Sequence, residues 1–340
     1  MRFTVVVPGL LDWPSSALAR IDNRAPALAR LLAAGGSPAP EQDGSLATAC
    51  RVCGIAKQQD WPVAPWLARA TGIDSGGGYW LCAEPARFSV GQSDVRLAGL
   101  VDDLEPADAQ SLLAVLNTHF AADRIRFLAP TPSHWFACAE RTPRISTRPP
   151  EAALGAPLFE FLPTGPDGGR WRRWQNELQM LLFEHAVNRK REASGRAPVN
   201  SVWLWGGGTL AQASAPSGRI FANGGLVYAL GQSAGWSPAP LPTTFEYLPG
   251  STPRVVWLES VEADAAGAQL SALERAWIAP AERALHAGLL SEIELVLISA
   301  TLGLVFRVPR PTLTQRWRQR LASSQVSPQL ARWVAEAQET

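Results

Sequence analysis

The run Asn200-Ser201-Val202-Trp203-Leu204-Trp205-Gly206-Gly207-Gly208 constrains the fold more than any other stretch of the chain. Its first half alternates and is rich in aromatic residues, the pattern of a strand. Trp203 and Trp205 stand two apart, so on a strand they share one face. The three glycines let the backbone bend sharply or come close to a ligand. In open α/β sheets, the turn beyond a strand's carboxyl end is where ligands bind. Spacing alone leaves two readings open: a buried strand ending in a tight turn, and a strand that presents its turn to a ligand.

The flanking segments alternate strand and helix. Residues 1–9 read as one buried strand. A helix is expected from near Pro26 to Gly35-Gly36, and another over the Trp61–Ala70 region with Asp60 as its N-cap. Between Tyr79 and about Glu140, short strands at Trp80–Ala83, Val95–Leu97, Arg124–Leu128 and Trp135–Ala139 surround one helix from Glu105 to Phe120. That mixture predicts a small α+β subdomain, residues 79–153 with its Arg-, Thr- and Pro-rich linker. Residues 1–78 and 154–340 are expected to form the core. Gly169 to Ala193 reads as one long helix with Trp174, Leu178, Leu181, Leu182 and His185 near one stripe. The turn Ala222–Gly225 leads into the apolar run Leu226–Leu230, and strands at Val255–Leu258 and Ile293–Ser299 flank a helix at Leu270–Ala287. From residue 195 onward that order predicts a largely parallel sheet.

Composition narrows the partners. The 340 residues carry a net charge of only +1, which gives no electrostatic case for nucleic acid. No apolar stretch approaches the roughly 18 residues needed to span a bilayer. The first strand is too short for a signal peptide, so a cytoplasmic protein is expected. Four cysteines in a chain of this length do not make a disulfide framework. Cys50-Arg51-Val52-Cys53 has redox spacing, but it reads first as two core or boundary thiols, and no second Cys or His pair supports zinc.

Several motifs together resemble a known family. Ala25-Pro26-Ala27-Leu28-Ala29-Arg30-Leu31, closed by Gly35, is similar to the T-P-N-L-D-R-L…G helix start of the alkaline phosphatase superfamily. His185-Ala186-Val187-Asn188-Arg189-Lys190-Arg191 resembles the H-P-x-N-x-x-R element of archaeal-type, cofactor-independent phosphoglycerate mutases. Asn200–Gly208 resembles their N-x-x-W-L-W-G-x-G element. Gly224-Gly225-Leu226-Val227, through Gly231 and Gly235, resembles the glycine-punctuated helix that follows it. Leu100-Val101-Asp102-Asp103 before the Glu105–Phe120 helix resembles their inserted domain. Asn176-Glu177-Leu178-Gln179-Met180 and Val199–Gly208 bring the chain closer still to the proteobacterial RpfE-type regulatory proteins. The resemblance implies an α/β fold: an alkaline-phosphatase-like core with a largely parallel sheet and helices on both faces, plus the inserted subdomain.

The resemblance also implies a chemistry that these residues do not carry. Mutases of that family hold two divalent metals among Asp and His ligands, and a serine takes the phosphoryl group. Their first ligand follows the first strand, where this chain has Pro8-Gly9; Asp12, four residues on, is a partial substitute or a turn residue. A late Asp-His pair is implied after the strand Ile293–Ile298, where Ser299-Ala300-Thr301-Leu302-Gly303 stands instead. His119, His134, His185 and His286 show no metal-ligand spacing. Ser45 and Thr48 lie where the nucleophile would be sought, without an identifying motif, and Ser15 and Ser16 read as caps. No metal and no cofactor are therefore expected, and no catalytic residue is identified. What remains is a cradle for an anion: Asn188, Arg191, Asn200 and Trp205 with the Gly206, Gly207 and Gly208 backbone. Arg191 can grip a phosphate or carboxylate as a fork, or simply favour the helix dipole. The expected function is a catalytically degenerate, phosphoglycerate-mutase-like regulator binding an anionic metabolite or a protein partner. The alternatives are a metal-independent enzyme acting on a phosphorylated metabolite and an interaction module whose Trp-rich faces meet another protein.

Overall fold

A strand buried on both faces has no polar positions to alternate, and Phe3-Thr4-Val5-Val6-Val7 is such a segment. A computed structural model of the protein describes residues 1–18, 21–91, 94–214, 218–248, 254–262, 267–312 and 327–338. The strands are β1 (Arg2–Pro8), β2 (Ala39–Gln42), β3 (Tyr79–Val90), β4 (Val95–Leu100), β5 (Ile125–Thr131), β6 (His134–Ala139), β7 (Ser201–Gly208), β8 (Arg219–Phe221), β9 (Arg254–Trp257), β10 (Glu292–Ile298) and β11 (Leu302–Pro309). The helices are α1 (Ser15–Leu18), α2 (Ile21–Arg24), α3 (Pro26–Gly35), α4 (Gly44–Val52), α5 (Val63–Ala70), α6 (Pro106–Phe120), α7 (Pro150–Ala153), α8 (Gly168–Phe183), α9 (Ala186–Ala193), α10 (Gly225–Ser233), α11 (Ala268–Leu273), α12 (Ala279–Ala287) and α13 (Ser327–Gln338). They form two units, residues 1–54 with 214–340, and residues 55–213.

The first unit is built on a six-stranded sheet in the order β2-β11-β10-β1-β9-β8. Its four strands β10, β1, β9 and β8 are parallel, and β11 and β2 add antiparallel at one edge. Phe3, Val5 and Val7 face one side with Ile293, Leu295, Leu297 and Val256, and meet Leu28, Leu31, Ile278 and Leu285 from the helices. Val6, Val296 and Ile298 face the other side. There α4 packs on β10 and β11, and its Arg51 reaches Glu294 on β10. This is the α/β architecture expected, with a largely parallel sheet and helices on both faces. The N-terminus of α3 is capped from a distance: Ala27 and Leu28 donate their backbone N–H groups to the Glu274 carboxylate at 2.6 and 3.2 Å. The expected Leu270–Ala287 helix is continuous, with a π-helical turn at Glu274–Ile278 between α11 and α12. Pro280 sits just beyond that turn and supplies no N–H to an α-helical ladder.

The second unit is antiparallel. Its strands run β4-β3-β6-β5, with β7 on the free side of β3. One face buries Leu112, Leu116, Phe120, Trp171, Trp174 and Leu178 beneath α6 and α8. Two expectations change here. The Trp-Gly run does not join the parallel sheet: Cys82 pairs with Trp205, Ala83 with Leu204 and Glu84 with Trp203, so its backbone hydrogen bonds go to β3. For the same reason this unit is larger than the 79–153 segment read from sequence, since β7 and α8 complete its sheet and core. The long helix at 169–193 is also broken. His185 adopts an extended conformation and caps α9, its ring Nδ1 accepting the Val187 N–H at 3.2 Å. Burial, aided by the neighbouring Arg189 charge, lowers the His185 pKa, which favours the neutral ring that can accept. Among the described residues no helix is long and apolar enough to cross a membrane.

Candidate functional site

The carboxyl ends of β1 and β10 lie side by side, with Pro8 in register with Ile298 and the Gly9 N–H on the Ile298 carbonyl at 2.9 Å. Open parallel sheets place their ligands at such ends. Here the ends are closed by backbone. Gly9 has φ of 85°, and a Cβ on it would lie 2.5 Å from the Ser260 hydroxyl and 2.7 Å from the Val261 carbonyl. Ser299 opens a tight hairpin into β11, its N–H on the Leu302 carbonyl and its hydroxyl accepting the Leu302 N–H. The Ser299 carbonyl in turn accepts the Ser45 N–H at 3.0 Å, so the first turn of α4 already has an acceptor where an anion would sit. Thr48 is buried and donates its hydroxyl to Glu41 at 2.6 Å. The Glu41 carboxylate is thus within reach of the Thr48 proton, whereas Ser45 is held here through its backbone N–H.

Proline and serine at these two strand ends offer no carboxylate or imidazole to a metal. Asp12 ends a 3-10 turn and is exposed. Among the described residues no three His, Cys, Asp or Glu side chains come together as a metal site. His119 contacts Glu177 at 3.0 Å, His134 contacts the Thr131 hydroxyl, and His286 lies in the last turn of α12. Cys50 and Cys53 are both buried. Burial pushes the Cys53 thiol up to about 12, which makes it a core thiol and a poor nucleophile.

The residues expected to cradle an anion all lie in the second unit, and their hydrogen bonds go to its own backbone. The Asn188 side-chain amide pairs with both the N–H and the carbonyl of Val199 at 2.8 Å, and also donates to Leu182. The Asn200 amide pairs in the same way with the N–H and carbonyl of Phe88. Asn117 repeats the device on Phe127. Each imitates a strand partner where the ladder stops. Arg191 is completely buried; its guanidinium donates to the Ala197 and Asp103 carbonyls and to the Asp103 carboxylate. His185 caps α9, and Asn188 and Arg191, three residues apart on α9, fasten the chain that leads into β7. The polar atoms of Asn188, Arg191 and Asn200 are thus engaged inside the fold.

The glycines are part of β7 and make no terminal turn. Gly206, with φ of 68°, donates its N–H to the Thr147 hydroxyl, and the β3 register shifts between Trp80 and Cys82, which marks a bulge. Gly207 and Gly208 permit close packing: a Cβ on Gly207 would lie 2.2 Å from the Tyr79 hydroxyl, and one on Gly208 2.3 Å from Pro62. Gly207→Ala is expected to cost about 1–3 kcal/mol through overpacking. Urea unfolding measures it, and Tyr79→Phe in the same chain should recover part of the loss; no recovery would place the strain elsewhere.

Sequence reasoning missed two features of this unit. Asp60 is no helix cap; it is buried and accepts the Thr147 N–H at 2.9 Å as well as the Thr147 hydroxyl. Glu84 lies on β3 among tryptophans. Burial, with repulsion from Glu151, pushes its pKa up to about 7. The Trp205 indole N–H forms no well-shaped hydrogen bond, yet its dipole opposes that rise. The signal was present: Glu84 is a lone carboxylate in the apolar run Trp80–Ala86.

Comparison with known proteins places the motif order in context. A 105-residue stretch is 33% identical to the 2,3-bisphosphoglycerate-independent phosphoglycerate mutase of Methanothrix thermoacetophila, covering 28% of this chain and 26% of that protein. The mutase of Methanosarcina acetivorans is 27% identical over 149 residues, 42% of this chain and 38% of its own length. The chain is homologous, over part of its length, to archaeal-type cofactor-independent phosphoglycerate mutases. The matched stretches span well under half of those curated relatives. A solved cofactor-independent phosphoglycerate mutase from Thermoplasma acidophilum aligns over 98% of this chain and 99% of its own, at 15% identity and a TM-score of 0.46. No protein-family model matches the chain.

Proposed function

We propose that this protein is a phosphoglycerate-mutase relative that has lost the two-metal reaction and acts by binding, as a regulator responding to an anionic metabolite. The observation that carries this reading is the pair of strand ends at Pro8-Gly9 and Ser299-Ala300-Thr301. Metal ligands are needed at those places, and neither segment supplies one. The partial homology to phosphoglycerate mutases supplies the ancestry. The binding role takes up what such a scaffold retains once its chemistry is gone.

The test is direct. Elemental analysis of the purified protein should find no stoichiometric divalent metal. Incubation with phosphoglycerate or a phosphatase substrate and added manganese should give no turnover. Stoichiometric metal accompanied by mutase or phosphatase turnover would overturn the reading, and turnover without metal would assign the chain to an enzyme of altered chemistry.

A further inference from the structure

At the opposite, amino-terminal end of the parallel strands, the first unit has a cavity of about 360 Å³, within the range of small-molecule sites. Its polar lining comes from the sheet face covered by α4. Arg2 and Thr4 of β1, Glu294 of β10, Arg307 of β11 and Arg51 of α4 border it, and Arg254 at the start of β9 adds a further arginine. The carboxyl ends at Pro8 and Ile298 lie four residues farther along the strands than Thr4 and Glu294, about 13 Å away. The cavity is therefore separate from the place where the mutase chemistry would be sought.

The charges are arranged with a surplus. Glu294 is buried, and its two oxygens accept from Arg51 at 2.9 Å and from Arg307 at 3.4 Å. Arg51 also holds Glu41, and Arg2 holds Glu292 at 3.0 Å. Among the described residues, four arginines (Arg2, Arg51, Arg254 and Arg307) thus stand against three carboxylates (Glu41, Glu292 and Glu294). Among the described residues, Arg2 and Arg307 are each tied through Nε, and the paired Nη groups of both guanidinium forks find no partner. Both side chains are more than half exposed, at 59% and 65%, so a ligand can reach them. Val52, Val255 and Trp236 form an apolar wall, and Trp236 is fixed by its indole N–H on the Cys53 carbonyl. Two free forks beside an apolar wall match a tetrahedral oxyanion carried on a short carbon body.

We propose that this cavity binds a small phosphorylated metabolite, its phosphate held between Arg2 and Arg307 and its carbon body against Val255 and Trp236. The assignment rests on the binding role proposed above and gives it a place in the fold. Arg51 is a positioning residue: it neutralises Glu294 so that this carboxylate does not repel the anion.

Calorimetric titration of the full chain with glycerol phosphate and with inorganic phosphate, at matched chloride ionic strength, tests the site. Saturable binding is expected for both, tighter for the ester. Arg2→Gln combined with Arg307→Gln should weaken it about tenfold or more, the loss of a charge-assisted fork. Both residues are exposed, and Arg332→Gln, remote in α13, serves as the control that should change nothing. No saturable binding, unchanged affinity in the double variant, or inorganic phosphate binding as tightly as the ester would each overturn the proposal. Phosphorus NMR of the same samples separates it from the reading of lost catalysis: conversion of the bound ester sinks that reading while leaving the site, and absent binding without conversion does the reverse.

Discussion

Arg191→Ala should lower the stability of the folded chain by about 3 kcal/mol while leaving anion binding untouched. The side chain is wholly buried and makes three hydrogen bonds, two of them to carbonyls of separate loops at Ala197 and Asp103. Removing it leaves those carbonyls without their donor and opens a cavity, and each of these is a recognised source of large losses. Breaking a buried ion pair costs about 3–5 kcal/mol when the remaining charge stays buried. The Asp103 side chain is 51% exposed, so its carboxylate can return to water and the lower end applies. Arg191→Lys keeps the charge but cannot span both loops, so it should recover less than half of the loss. Urea unfolding provides the measurement, with phosphate titration of the same variants. A stable Arg191→Ala chain with weakened phosphate binding would restore Arg191 to a ligand site and contradict its structural role.

The sequence alone left Arg191 open between an anion fork and a cation favouring the helix dipole, and that ambiguity has a physical cause. Spacing reveals that His185, Asn188 and Arg191 share a helix face, but a guanidinium facing a phosphate and one facing two carbonyls have the same spacing. The deciding fact is which backbone segments run out of partners nearby, and that depends on tertiary structure. The same holds for Gly206–Gly208. Glycine was legible as a requirement of the backbone, yet only the pairing with β3 shows that the requirement is a bulge and close packing against Tyr79 and Pro62. The parallel sheet was easier to read. β1 and β10 carry the apolar runs Val5–Val7 and Leu295–Ile298, buried on both faces, and that pattern survives in sequence without any knowledge of neighbours. That the two strands end near Pro8 and Ser299 was legible for a related reason, since the apolar runs stop there. The arginine cavity was not legible, because Arg2, Arg51, Glu294 and Arg307 are scattered along the chain. Only strand register brings Glu294 opposite Arg307 and Arg2 beside β10.

Glu84→Gln is expected to stabilise the chain at neutral and alkaline pH by up to about 3 kcal/mol, and to leave it nearly unchanged in acid. The carboxyl is raised from an ordinary value of 4.5 to about 7, first by burial and then by the charge of Glu151. A folded-state pKa above the unfolded one means that the native state holds its proton longer. Glu84 therefore favours folding fully below pH 4.5, and that contribution is lost as the pH rises to about 7, where the buried carboxylate must ionise among Trp203, Trp205 and Cys82. Glutamine keeps the shape and never ionises, so the difference in stability between the variant and the parent chain should grow from pH 4.5 to 7 and then stay flat. Denaturation midpoints across that range measure it, with Glu151→Gln as a second variant that should lower the Glu84 pKa and shift the rise to lower pH. A difference curve that is flat from pH 4 to 8 would show that the carboxyl meets water in the folded protein, and would remove burial on this sheet face as the cause.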